Sequence, residues 1–291
     1  IVMTETRFPR LQFFQVQGAS LLPEPPLLLA GAIGGPAIIG CLTPLRNACT
    51  LAAQDSTSSA REIYAKVFTH GFRRGWTGAT TPAAAAVVQF TTLGPGYFVY
   101  LNLLGSSSAA VAAGAVTETL ITYAPSTRNA QLMNNAVAKS VDKVPVRPLY
   151  PVGPGFSALV LRNCCANAGI RVLSNPLTSA LSSLTGSKTE EFCRMGGDFL
   201  ASVLCGAISM PFNQLFNFQV TSAASLAASP SDRIKLALSF LKKQYLVPSE
   251  SGSLQLSRMV LRDAGLRSLY IGCMFSSYAA VERMFLHLAR K

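Results

Sequence analysis

Few residues in this chain have the type and spacing for chemistry, and the most telling are arginines beside prolines. Arg46 follows Pro44 by two residues and Arg128 follows Pro125 by three, both within otherwise apolar runs. An ionised side chain at the centre of a membrane helix costs about 2.5–3.5 kcal/mol on insertion scales, so it faces a cavity or a partner. If both arginines point inward, the cavity is positive and attracts an anion or an acidic lipid headgroup. If they lie near a membrane boundary, they snorkel to phosphate. Catalytic constellations are not found. His70 and His287 are the only histidines, with no cysteine or carboxylate at ligand spacing around them, so neither a metal nor a general base is expected. Gly94-Pro95-Gly96 has no Gly-Lys-Ser/Thr after it and reads as a break in an apolar span rather than a phosphate loop. No enzymatic role and no cofactor are expected.

The elements that position these arginines follow from composition. The chain of 291 residues is 49% hydrophobic and only 13% charged, where a soluble domain carries about a quarter charged residues. Its mean hydropathy is +0.34. No Asp, Glu, Lys or Arg occurs between Arg74 and Glu118, from Phe199 to Ser231, or from Leu27 to Leu45. The last of these runs is close to the ~20 residues a membrane helix needs. Lysine and arginine number 25 against 13 acids, a net charge of +12 spread through the connectors. That pattern suits an anionic lipid surface. Without a basic stripe interleaved with aromatics, nucleic acid is not expected as a partner. The seven cysteines are scattered, without ligand spacing, and read as small buried hydrophobes.

Candidate spans fall near 26–53, 79–104, 107–132, 155–183, 195–226 and 271–290. The expected class is therefore an all-α membrane protein of six transmembrane helices. Ser59 to Thr69 and Asp232 to Tyr245 mix charged and apolar positions at helical spacing and read as short amphipathic helices. The connector from Gln131 to Val146 is more polar and a weaker helix. Residues 1–25 form an N-terminal extension, either a processed transit peptide or a plain extension.

Internal repetition organises the rest. Pro44, Pro125 and Pro211 recur at near-equal spacing within the first, third and fifth spans. Gly71-Phe72-Arg73-Arg74-Gly75-Trp76-Thr77-Gly78 and Gly265-Leu266-Arg267-Ser268-Leu269-Tyr270-Ile271-Gly272 match in glycine, basic residue, aromatic and glycine. Arg147-Pro148-Leu149-Tyr150 followed by Gly153 and Gly155 is a degraded middle copy. In these features the chain resembles the mitochondrial carrier family over about residues 27–290. The resemblance implies three pseudo-repeats, 26–106, 107–190 and 191–291. Each would be a proline-kinked helix, a short matrix-side helix, a glycine-aromatic-glycine turn and a second membrane helix. Gly31 to Gly35 and Ser202 to Gly206 are spaced to let helices approach closely.

The resemblance also implies what is missing. A transporting carrier places an acid two residues and a base five residues after each proline, pairing them between repeats to close the matrix side. Here the acid positions hold Arg46, Thr127 and Asn213, and the base positions Cys49, Ala130 and Phe216. At the far end, counting from the turn glycines gives no acid-base pair either. Asn47, Asn129, Asn213 and Asn217 are placed where neutral hydrogen bonds could substitute. Arg162, seven residues after Gly155, stands where the family's even-numbered helices place an arginine near the substrate, and is either an anion contact or paired with Glu118 or Asp198. Two functions follow as expectations. One is a carrier fold that has lost transport and serves as a structural or accessory subunit of an inner-membrane respiratory-chain or ATP synthase complex. The other is a working mitochondrial carrier for an anionic metabolite. The implied location is the mitochondrial inner membrane, with an outer-membrane scaffold as the remaining placement. The implied partners are anionic lipids such as cardiolipin and other subunits.

Overall fold

Charge-free runs become long helices, and short polar connectors separate them. The computed structural model describes residues 25–185, 190–248 and 253–289; the N-terminal extension through residue 24 lies outside them. The long helices are α1 (Pro25–Ala52), α3 (Thr80–Leu104), α4 (Ser107–Val137), α5 (156–185), α6 (Glu190–Thr221) and α9 (Met259–Ala289). Short helices α2 (Ala60–Val67), α7 (Ala223–Ala227) and α8 (Pro230–Tyr245) lie between them, with a hairpin of β1 (Leu246–Pro248) and β2 (Leu254–Leu256). Two of the long helices, Pro25–Ala52 and Glu191–Thr221, are long and apolar enough to cross a membrane. Others such as α4 and α9 carry buried polar groups, among them Glu118, Asn129, Arg262 and Asp263, that dilute their hydropathy.

Consecutive long helices pack in chain order and α9 returns to α1, closing a ring; α1, α4 and α6 also touch one another inside it. Apolar side chains lie on the outside as well as in the core, and polar ones are buried among them. Large apolar side chains are exposed on all six, for example Ile33, Val88, Leu120, Leu161, Leu204 and Leu269, while Asn47, Glu118, Asn163 and Arg267 are buried. Small residues set the closest approaches. A Cβ on Gly31 would stand 2.8 Å from the backbone of Phe90 and Thr91 on α3, and one on Gly206 would stand 2.7 Å from the Cα of Ser268 on α9.

Local sequence explains the connectors. Ser59 caps α2 through a reciprocal box, its hydroxyl accepting from the Glu62 N–H while the Glu62 carboxylate accepts from the Ser59 N–H at 2.7 Å. Ser229 and Pro230 open α8 in the same spirit. The middle connector differs: α4 runs on to Val137, a 3-10 turn spans Ser140–Asp142, and the chain then runs without regular structure to Gly155. Asn135 pins that stretch by exchanging two bonds with the backbone of Val144, and Gln131 Oε1 accepts from the Arg147 N–H.

Three expectations require correction. The segment Gly265 to Gly272 is not a turn but lies inside α9, which begins at Met259 rather than 271. Gly71 and Gly78 do hold positive φ, +103° and +74°, as a turn requires, and Gly155 holds +84°. Gly265 and Gly272 do not; Gly272 instead packs its bare face toward Phe199 and Val203 on α6. The cysteines are mixed: Cys49, Cys193 and Cys205 are buried, but Cys41 is exposed. The backbone stays helical through Gly94-Pro95-Gly96.

Candidate functional site: a central arginine-lined cavity

Pro44, Pro125 and Pro211 all lie inside continuous helix, and the consequence is clearest at Pro44. A proline has no N–H for the carbonyl four residues back, here that of Gly40. Trp76 Nε1–H donates to that carbonyl at 2.9 Å. The turn aromatic therefore satisfies the acceptor that the proline strands. The middle aromatic does otherwise: Tyr150 is exposed. There Tyr123 reaches from α4 to donate to the Pro154 carbonyl at 2.8 Å, beside Gly153.

At this proline end the joints between α1, α4 and α6 are made without ion pairs. Asn129 Nδ2 donates to Asn47 Oδ1 at 3.2 Å and to the Thr77 carbonyl at 3.0 Å, while Asn47 Nδ2 donates to the carbonyls of Gly75 and Thr77. The Arg46 guanidinium donates to Ser126 Oγ at 2.8 Å. Gln131 donates to the Val220 carbonyl at 3.0 Å, joining α4 to α6. Gln54 donates to Thr221 and Asn217 to the Cys49 carbonyl, joining α1 to α6. Among the described residues no salt bridge joins these three helices.

A buried clamp ties α9 to the same end. Arg262 donates to the carbonyls of Ala52, Asp55 and Ser58 at 2.6–2.9 Å and to Asp263 Oδ1 at 2.7 Å. Asp263 also accepts from Tyr245. The guanidinium thus serves orphan carbonyls at the end of α1, where a cation is favoured. In the loop it closes, burial alone would raise the Asp55 carboxyl, but bonds from Lys66, Ser58 and Thr57 outweigh it and hold the group well below the usual carboxylate range. A depressed carboxyl stabilises above its unfolded pKa of ~3.9 and loses that contribution as pH falls through its folded value. Asp55→Asn should therefore cost about 1–2 kcal/mol at neutral pH, allowing for partial exposure. Thermal unfolding should show that difference constant from pH 8 to 5 and shrinking in stronger acid.

The far end corrects a further expectation, because an acid-base pair is present there. Arg283 Nη1 on α9 meets Asp198 Oδ2 on α6 at 2.9 Å, and Ser174 on α5 donates to the same carboxylate. Arg171 lies over the rings of Tyr97 and Phe98 at 5.3 and 5.5 Å. Counting along α3, α5 and α9 missed the pair because its acid comes from α6.

Between the two ends lies a cavity of about 40 Å3, walled by side chains from all six long helices. Its charged wall residues are Arg46, Arg162, Arg267 and Glu118. Glu118 accepts from Gln89 at 2.6 Å and Asn167 at 2.9 Å. Arg162 is not in salt-bridge contact with Glu118 or Asp198; its Nε and Nη2 donate to Asn163 Oδ1 at 3.0 and 2.8 Å. Arg128 is half-buried and not on the wall. Asn213 is on it. Arg267 and Tyr270, assigned by sequence to a turn, are both wall residues, with Arg267 only 3% exposed. The exposed His70 and His287 stand far apart in sequence, and no cluster of His, Cys, Asp or Glu able to hold a metal occurs among the described residues. No protein-family model matches the chain, and no curated protein matches it.

Proposed function

We propose that this protein is a carrier-like bundle of the mitochondrial inner membrane that has lost transport and serves as a structural or accessory subunit of a larger complex, of the respiratory-chain or ATP synthase kind. In this reading all six long helices cross the bilayer in three pseudo-repeats, α2 and α8 lie on the matrix side, and anionic lipid such as cardiolipin surrounds the basic connectors. The exposed apolar side chains on every long helix support the membrane placement.

One observation carries the functional reading. The three proline-bearing helices are joined by side-chain hydrogen bonds to amide, hydroxyl and backbone carbonyl oxygens, with no ion pair between them among the described residues. Alternating access needs two states of similar free energy, and a ligand shifts them only by its differential affinity. Parting these helices strands buried carbonyls and amides, at about 1–3 kcal/mol for each unsatisfied group. A bundle closed in this way favours one state.

The second reading, a working carrier for an anionic metabolite, draws on the three guanidinium groups in the cavity. Reconstitution separates the two. Purified protein in liposomes is expected to take up no nucleotide, phosphate or dicarboxylate above empty vesicles. Saturable exchange of any of them would overturn the loss of transport and select the second reading.

A further inference from the structure

The cavity wall carries three guanidinium groups against one carboxylate, and charge buried without compensation is costly. The protein's own bonds do not use up the donors. Arg162 spends Nε and Nη2 on Asn163, and Arg267 spends Nε on Ser209 Oγ at 3.3 Å. Their other guanidinium N–H groups have no protein acceptor among the described residues. Asn213, also on the wall and only 4% exposed, has a buried Nδ2 with no partner. Donors from α5, α6 and α9 are thus left over on the wall of a cavity whose net charge is positive.

We infer that the cavity holds a resident phosphate-type oxyanion as a structural counter-ion, bound by Arg162, Arg267 and Asn213. The guanidinium forks suit paired oxygens on phosphorus, and a dianion balances the surplus of arginine over Glu118. Asn213 supplies the neutral donor. The anion ties α5, α6 and α9 together without being carried across the membrane, which rests on the reading that the bundle is static. Inorganic phosphate and a phosphomonoester lipid headgroup share this chemistry.

Thermal unfolding distinguishes the sources. Protein in neutral detergent is first exchanged into chloride until no phosphate is released from a denatured sample, then heated in chloride and in inorganic phosphate at matched ionic strength. It is also heated in phosphatidylcholine nanodiscs with and without phosphatidic acid. A saturable rise of about 2–8 °C is expected. A rise with inorganic phosphate assigns a free anion, and a rise with phosphatidic acid alone assigns a headgroup. Arg267→Gln should abolish the shift. Asn213→Ala, which breaks no side-chain bond in the fold, should weaken the apparent affinity about three- to tenfold. The inference is overturned by no shift in either medium, by an equal shift in chloride, or by wild-type shifts in both variants. Phosphate uptake into liposomes would leave the site standing and overturn the static reading instead. Absence of any anion-dependent shift would remove the site and leave the subunit reading untouched.

Discussion

Replacing Arg262 with alanine is expected to lower stability by about 3–5 kcal/mol, the range for breaking a buried charge pair. The Arg262 side chain is 4% exposed and that of Asp263 is fully buried, so the carboxylate left behind would have no cation beside it. The loss reaches beyond the pair, because the same guanidinium holds the carbonyls of Ala52, Asp55 and Ser58. Denaturant titration in detergent should record the fall, and limited proteolysis should open the stretch between α1 and α2. Arg262→Lys should recover little, since an ammonium cannot reproduce the fork. Arg262→Ala combined with Asp263→Ala should cost less than the two single losses together, the mark of a coupled pair.

Phe216→Ala is expected to cost a similar amount, about 3–5 kcal/mol for a buried phenyl ring. Phe216 is 2% exposed and lies edge-on to Tyr123 at 6.2 Å, with the Arg162 guanidinium 5.8 Å from its ring centre. It occupies the position where the resemblance would put the base of the third repeat. Phe216→Lys should therefore be no more stable than Phe216→Ala, because it loses the ring and sets an ammonium near Arg162. The same detergent titration checks both. A lysine accepted there without loss would show that the position still tolerates a gate charge.

The long helices were legible because runs free of charge have few other uses, and their proposed ends lie close to the observed ones for α1, α3 and α5. The start of α9 was not legible. Gly265 to Gly272 matches Gly71 to Gly78 in composition, yet Leu, Arg, Met and Ala from Met259 onward are good helix formers with no proline among them. Once α9 is drawn from Met259, Arg267, Tyr270, Ile271, Met274 and Tyr278 share one helical face, and all are buried. Arg267 was thus hidden by a misplaced boundary rather than by a weak signal. The Asp198–Arg283 pair and the Trp76 bond to Gly40 were hidden differently. Both join distant parts of the chain, and no local pattern marks either. At the proline motifs, residue type spoke plainly, since a set holding no acid cannot build an ion-paired gate. The particular substitutes, Asn47 with Asn129 and Gln131 with Val220, depend on helix rotation that spacing alone leaves open.

The central claim is that this bundle belongs to a larger assembly. Its most direct test is extraction of the native membrane in a mild detergent, followed by sizing and native electrophoresis with detection of this chain. Comigration with a complex far larger than the chain's own 30.8 kDa, persisting through purification, is expected. Recovery of the chain only as a free species of its own mass would contradict it.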